Sequence, residues 1–294
     1  MHYTGTIWRP PYEAFSLLLQ VTAGCTHHRC KFCTLYEELP FKFRMSPLQE
    51  IETDLQEAAA LPVRTQRVFF TGANPFVLSF DKLKALAGLV HKYLPDIKSM
   101  GCFARITDMQ NKTDAQLKEL AALGYDGLTI GIETGDETAL SFMDKGYAAQ
   151  DILNQCRRLE QAGIGYNLFY LTGIAGAGRG KQGAKATADI INRLRPRIIN
   201  ASMLTVFPSS ALYEEIKRGR WQEPTEIEKL EELKALIENI AVSCEFTTYG
   251  ASNLIYVHGL LPRDRQKMTE FLAEQIANQD EKCLRRYRER LPHL

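Results

Sequence analysis

The sequence predicts an α/β protein built on parallel strands. Six short, nearly continuous apolar segments alternate with segments of helical period, and most of the helical segments open on a capping residue or close on a glycine. A strand buried on both faces of a parallel sheet carries no polar alternation, which is how these six segments read.

The first strand is residues 15–21 (FSLLLQV), bounded by Thr22 and Gly24. Ser46-Pro47-Leu48-Gln49 opens a helix, with Ser46 as N-cap, Pro47 at the first helical position and Gln49 as capping partner. Residues 67–71 (RVFFT) form the second strand, and a run through Gly101-Cys102-Phe103 the third. Thr113 and Gln116 open a helix that Gly124 ends. The fourth strand, residues 127–132, leads to a helix opened by Thr134 with Glu137 and followed by Gly146. Another helix runs from about Gln150 to Ala162 and stops at Gly163. Residues 166–171 and 198–207 are the last two strands, followed by helices over 184–194 and 211–218. Parallel strands with helical crossovers leave two arrangements, an open doubly wound sheet or an incomplete barrel, because a full barrel has eight units.

After residue 219 the pattern changes. Pro224-Thr225 starts a longer amphipathic helix with Ile227, Leu230, Leu233, Leu236, Ile237 and Ile240 on one face. Residues 247–258 read as a strand or an ordered loop, and 262–290 as one final helix. With no linker-like tract, residues 1–219 are expected to form the main body and 220–294 an α-rich extension packed on it, in one structural domain.

The chain has 294 residues, 45% of them hydrophobic, enough for a full-sized core. A net charge of +1 gives no reason to expect nucleic acid, a membrane or a charged polymer as partner. No apolar run reaches the roughly 20 residues of a membrane span, and the first residues lack a secretory pattern, so a cytoplasmic protein is expected. Of seven cysteines, three lie within nine residues, and Cys102, Cys156, Cys244 and Cys283 are scattered. That distribution suggests a metal site plus buried thiols, not a disulfide framework.

The trio is Cys25-Thr-His-His-Arg-Cys30-Lys-Phe-Cys33, just after the first strand, where α/β folds place their sites. Such a trio can bind zinc with His27 or His28 as fourth ligand. It can equally hold three irons of a cubane cluster and leave the fourth iron open. With zinc, the protein would be a non-catalytic RNA- or protein-binding module using the basic stretch at 284–290. That stretch reads as well as a helix end whose cations suit the local dipole.

Four more motifs follow in order: Thr71-Gly72-Ala73-Asn74-Pro75; Gly131-Ile132-Glu133-Thr134-Gly135-Asp136 with Met143-Asp-Lys-Gly146; Gly173-Ile174-Ala175-Gly176; and Val206-Phe207-Pro208-Ser209-Ser210-Ala211-Leu212-Tyr213. From Cys25 to about Gly219, the trio and these four resemble the radical S-adenosylmethionine superfamily. The resemblance is strongest to the branch containing the oxygen-independent coproporphyrinogen oxidases and the elongator and methylthiotransferase catalytic domains. The trio has one residue more between its first two cysteines than most of that superfamily, and Ala73-Asn74 stand where a second Gly and a Glu are usual.

The resemblance implies a partial (β/α)6 TIM-type barrel with a C-terminal α-rich extension, in an oxygen-sensitive enzyme. It implies a single [4Fe–4S] cluster on Cys25, Cys30 and Cys33. There S-adenosylmethionine would be cleaved reductively to a 5′-deoxyadenosyl radical acting on a small-molecule substrate, with reduced flavodoxin or ferredoxin as donor. Phe32, Thr71, Gly72, Ala73, Asn74, Glu133, Gly173, Val206 and Phe207 are the implied cofactor contacts. Glu133 and Arg105 are the catalytic candidates, Glu133 toward the cofactor ribose or amino group and Arg105 toward a carboxylate. Cys102, Cys244 and Tyr249 are candidate hydrogen-atom donors. No further Cys group follows the trio and no module precedes it, so a second cluster and a fused cobalamin domain are not expected.

Overall fold

The computed structural model describes residues 1–62 and 65–291, so the last three residues of the expected extension lie outside the described residues. The chain divides into two compact units, each interrupted in sequence.

The first unit comprises Met1–His28, Leu35–Gly131 and Gln155–Tyr166. It holds β1 (Leu17–Gln20), β2 (Thr22–Gly24), β3 (Phe43–Met45), α1 (Leu48–Ala59), β4 (Arg67–Thr71), α2 (Phe80–Tyr93), β5 (Ser99–Ala104), α3 (Asp114–Ala122) and most of β6 (Leu128–Glu133). Strands β1, β4, β5 and β6 pair in that order and in parallel, with Leu18 against Phe69 and Phe70 against Cys102. β2 and β3 form a separate antiparallel pair. Leu19, Val68, Phe69, Phe70, Leu83, Leu86 and Leu117 are wholly buried, each contributing roughly 1.5–3 kcal/mol of transfer free energy. α3 opens on the expected box: Thr113 accepts from the Gln116 N–H, and the Gln116 side chain accepts from the Thr113 N–H.

The second unit comprises Arg29–Thr34, Ile132–Asn154 and Asn167–Leu294. It carries α4 (Glu137–Phe142), the start of α5 (Ala149–Ala162), nearly all of β7 (Tyr166–Thr172), α6 (Gly180–Ile191), β8 (Ile198–Met203), α7 (Ala211–Lys217), α8 (Glu226–Asn239), β9 (Cys244–Thr247), β10 (His258–Leu261), α9 (Arg265–Asn278) and α10 (Glu281–Glu289). Strands β7, β8 and β9 are parallel, and β10 closes this set antiparallel to β9. All six expected strands are present, but the last ends at Met203 and not at 207, and the first is followed by the β2–β3 pair before its helix.

Four expectations are corrected, and the alternative left open at 247–258 is resolved. Ser46 is not the cap of α1: its N–H donates to the Val21 carbonyl, and the N-cap falls on Pro47 without a side-chain bond. Thr134 does not cap α4 either, because its hydroxyl accepts from the Asp136 N–H; Asp136 takes the cap, accepting from the Ala139 N–H at 3.0 Å. The final helix is two helices, broken at Gln279, with Asp280 capping α10 through the Lys282 N–H. Residues 247–258 are mainly the connection between β9 and β10. Cys283 is exposed, whereas Cys102, Cys156 and Cys244 are buried as expected.

Candidate active site

In the first unit the site residues gather at the C-terminal ends of β4 and β5. Cys25 follows β2 directly and is partly exposed. Thr71 ends β4, buried, its hydroxyl donating to the Trp8 carbonyl at 3.0 Å. Gly72 takes φ +124, and a Cβ there would lie 2.2 Å from Thr22 Oγ1 and 2.4 Å from the Thr22 carbonyl oxygen, so only glycine fits. Thr22 Oγ1 is buried with no hydrogen-bond partner, so this crowded spot also has a polar atom unspent.

Asn74 is wholly buried, and its amide ties two loops together. Nδ2 donates to Thr26 Oγ1 at 2.8 Å and to the Asp108 carboxylate at 3.1 and 3.2 Å, while Oδ1 accepts from the Thr26 N–H at 3.3 Å. The residue after Cys25 is thus fixed to the turn after β5. Burial pushes the Asp108 carboxyl up to about 6, against the Arg105 N–H and the Asn74 amide that favour its charged form. Arg105 is the cap of the 3-10 turn Ile106–Met109, and its Nη1 donates to Thr107 Oγ1 at 3.2 Å. Lys112 donates to the Phe76 and Asp108 carbonyls, and burial lowers its ammonium to about 8.

In the second unit the segment with Cys30 and Cys33 is pinned by backbone bonds. The Cys33 N–H donates to the Cys30 carbonyl at 3.0 Å, the Lys31 N–H to the Met143 carbonyl at 3.1 Å, and the Leu212 N–H to the Lys31 carbonyl at 2.7 Å. Phe32 packs on a core of Met143, Leu171, Ile174, Leu204 and Leu212, with Val206 alongside. The Lys145 ammonium lies over the Phe32 ring at 5.6 Å and donates to Glu133 Oε1 at 3.1 Å. Glu133 ends β6 at φ +61, a conformation non-glycine residues adopt at a cost and one that clusters at functional sites. The Gly173 N–H donates to Glu232 Oε2 at 2.9 Å, and the Tyr170 hydroxyl to Glu232 Oε1 at 2.5 Å. Burial raises that carboxyl to about 7. Phe207 accepts at its carbonyl from Ser210, the cap of α7.

Three further side chains bonded to these residues were not assigned from sequence. Asp108 stands three residues after Arg105, the capping-box spacing. Lys145 lies inside the Met143–Gly146 motif, the one legible pointer to it. Thr26 separates Cys25 from the histidines and carries no signal of its own.

Residues 19–181, more than half of the chain, match the Radical SAM superfamily. This chain belongs to the radical SAM superfamily. The radical SAM match contains the cysteine trio, Gly72, Glu133 and Gly173, and ends before Val206 and Phe207. The heme chaperone HemW of Bacillus subtilis (strain 168) is 22% identical over 215 residues, covering 70% of this chain and 55% of HemW. Coproporphyrinogen III oxidase (HemN) from Escherichia coli, a radical SAM enzyme, superposes with a TM-score of 0.59 at 16% identity, over 76% of this chain and 51% of that one. The radical S-adenosylmethionine methyltransferase TsrM from Kitasatospora setae, with cobalamin and a [4Fe–4S] cluster bound, gives 0.57 at 19% identity, over 69% and 39%. The chain therefore spans about half or less of the length of these three relatives. The fold class is the α/β, partial (β/α)6 TIM-type barrel of the superfamily, the protein is an enzyme, and the superfamily's cofactors are a [4Fe–4S] cluster and S-adenosylmethionine. Among the described residues, no helix is long and apolar enough to cross a membrane.

The chain's residues suit those cofactors by donor chemistry. Three thiols on one nine-residue loop, all partly exposed, are the soft donors that cluster iron takes. In the first unit, Gly72 crowds the buried Thr22 hydroxyl, which has no hydrogen-bond partner and so leaves a polar atom unspent. Among the described residues, no three His, Cys, Asp or Glu side chains are drawn together as a ready metal cage. The basic stretch offered as a nucleic-acid surface is turned partly inward: Arg288 is 2% exposed and bonds Glu226 through two nitrogens.

Proposed function

We propose that the chain holds a single [4Fe–4S] cluster on Cys25, Cys30 and Cys33, and cleaves S-adenosylmethionine reductively to act on a small-molecule substrate. When bound, cluster and cofactor supply a 5′-deoxyadenosyl radical, and reduced flavodoxin or ferredoxin supplies the electron. The observation that carries this reading is the family match running unbroken across a loop with three thiols.

The chain's own part is to bind, orient and shield. Asn74 fixes Thr26, and with it the position of Cys25, against the turn that carries Arg105. Phe32 closes one side of the loop with an apolar face, which excludes water. Thr71, Gly72 and Ala73 would present backbone to the cofactor's ammonium, and Gly173, Val206 and Phe207 would supply further contacts. Glu133 is oriented by Lys145, which uses one of its roughly four acceptor sites; the rest would accept from the cofactor's ribose or amino group. Arg105 offers a planar fork to a carboxylate. Residues 1–219 are the cofactor-handling body, and 220–294 shape the substrate side.

Anaerobic reconstitution with iron and sulfide tests the reading. The wild-type protein should bind close to four irons per chain and, with dithionite and S-adenosylmethionine, release 5′-deoxyadenosine slowly without substrate. Cys30→Ala and Cys33→Ala should each lose most of the iron and all release. Full iron content in either variant, or zinc in place of iron in the wild type, would refute the assignment.

A further inference from the structure

The second unit's sheet carries buried polar atoms that the cofactor reading does not use. Its register sets Asn200 of β8 between Phe169 of β7 and Thr247 of β9. Side chains alternate along a strand, so Asn167, Phe169, Asn200 and Thr247 share one face. Tyr170 lies on the other, where its hydroxyl meets Glu232 of α8. The first face is therefore the one turned from α8.

On that face Asn200 is 0% exposed, and neither its Nδ2 nor its Oδ1 has a hydrogen-bond partner. Asn167, 5% exposed, has an unpartnered Oδ1 two residues before the Phe169 that lies against Asn200. Leaving buried amide atoms unpaired costs stability, and native proteins keep few of them. Here three occur together, in strands that read YNLFYLT and IINASM and are otherwise largely apolar. The row Phe169–Asn200–Thr247 carries no ionisable side chain, and Glu245, in the next row of this face with Asn167 and Ile198, is engaged by His258 Nε2 at 3.0 Å, so the row offers a ligand hydrogen bonds and no charge of its own. Thr247 Oγ1 is itself held, accepting from the Tyr249 N–H at 3.2 Å.

We propose that Asn200, with Asn167, forms a recognition site for a neutral polar molecule that presents a hydrogen-bond donor and acceptor side by side, as an amide, a lactam or an imide does. A carboxamide offers NH2 and C=O in one plane, so it meets such an edge with two parallel bonds and satisfies both Asn200 atoms at once. Sites built this way reject analogues that lack the donor, because the protein's own acceptor is then left unpaired. The fate of the ligand rests on the radical-enzyme reading; its binding does not.

Ligand-observed saturation-transfer NMR on the anaerobically reconstituted protein tests this with 2-pyrrolidinone, N-methyl-2-pyrrolidinone and acetate. The lactam should bind at least about fivefold more tightly than its N-methyl analogue, and acetate should not bind. Asn200→Leu should weaken the lactam about tenfold or more while its Tm stays at or above the wild-type value, since two unsatisfied atoms are removed. Should that variant not fold, Asn167→Leu carries the same comparison. Equal binding of the two lactams, preference for acetate, or undiminished binding in the variants overturns the proposal. Protein that holds no iron yet binds the lactam through Asn200 would refute the enzyme reading and keep the site.

Discussion

Asp108 in the first unit and Glu226 in the second are both buried carboxylates, and their surroundings drive them in opposite directions. Asp108 is hydrogen-bonded at its carboxyl by the Asn74 amide and the Arg105 N–H, which are neutral donors, and burial outweighs both these and the Arg105 and Lys112 charges that act on it without a bond to the carboxylate: the carboxyl rises to about 6. Glu226 is met by Arg288 at 2.8–3.0 Å and by Lys229 at 2.9 Å. Burial alone would raise it too, but those hydrogen bonds and charges hold it below the ordinary carboxylate range. What separates the two is direct bonding to cations: Glu226 has it and stays charged, while neutral donors and cations that do not bond the carboxylate leave Asp108 to the cost of burial. The first arrangement stands beside the cysteine loop; the second ties α10 to α8.

The largest break in this contrast is Arg288→Ala. Arg288 also donates to Thr205 Oγ1 and the Ser252 carbonyl, so its loss strands three acceptor atoms, Glu226 Oε2 among them, while Lys229 still holds Oε1. Removing one partner of a buried pair costs about 3–5 kcal/mol, and chemical denaturation should show that loss. Arg288→Met should be nearly as damaging, because what hurts is the remaining charge. A loss under about 1 kcal/mol would mean Glu226 is solvated and the contrast false.

Next in size is Asp108→Asn, read as a function of pH. A folded-state carboxyl at about 6 binds its proton more tightly than the unfolded chain does. Its contribution is therefore full below the unfolded value and fades as pH rises through about 6, an effect of roughly 3 kcal/mol. Glu232, raised to about 7, has the same sign. Glu226 has the opposite sign: its contribution is present at neutral pH and is lost as pH falls through its depressed folded value. Asp108→Asn should flatten the decline in unfolding free energy between pH 4 and 6, keep the part near pH 7, and leave the acid loss untouched. An unchanged slope from pH 4 to 6 would show that Asp108 stays charged throughout.

These same places mark where sequence runs out. The six strands were legible because both faces are buried and their apolar runs are continuous: Arg67–Thr71 and Tyr166–Thr172 fall within a residue of expectation. Thr113 and Thr225 were legible because a capping box is a local interaction. Thr134 misled because its hydroxyl turns back to the Asp136 N–H, beside Thr187, 53 residues away. Arg288 read as a surface cation because its partner Glu226 lies 62 residues earlier, and no local pattern pairs them. Asn74 occupied a motif position legible by resemblance, but its link to Asp108 spans 34 residues and appears only in the fold. The three thiols were legible as a spacing; their ligands and substrate were not.

The smallest effect gives the finest comparison, since among the described residues each unit opens one α-helix with a threonine capping box. Thr113 accepts from Gln116, and Thr225 accepts from the Glu228 N–H at 3.0 Å. Thr→Ala at such a cap costs about 1 kcal/mol. The two helix starts differ in what else holds them. At α8 the Glu281 carboxylate, carried by α10, accepts from the Glu226 and Ile227 N–H groups at 3.0 and 2.9 Å, so two of the four orphan donors are met by another segment. Carboxylate at a helix N-terminus also favours the dipole. Thr225→Ala should therefore cost less than Thr113→Ala, by about half. Thr225→Ala combined with Glu281→Ala should cost more than the two single losses added, because each then covers for the other. Equal single losses and strict additivity in denaturant titrations would mean that α10 does not cap α8, and that the second unit's charged network stops at Arg288 and Glu226.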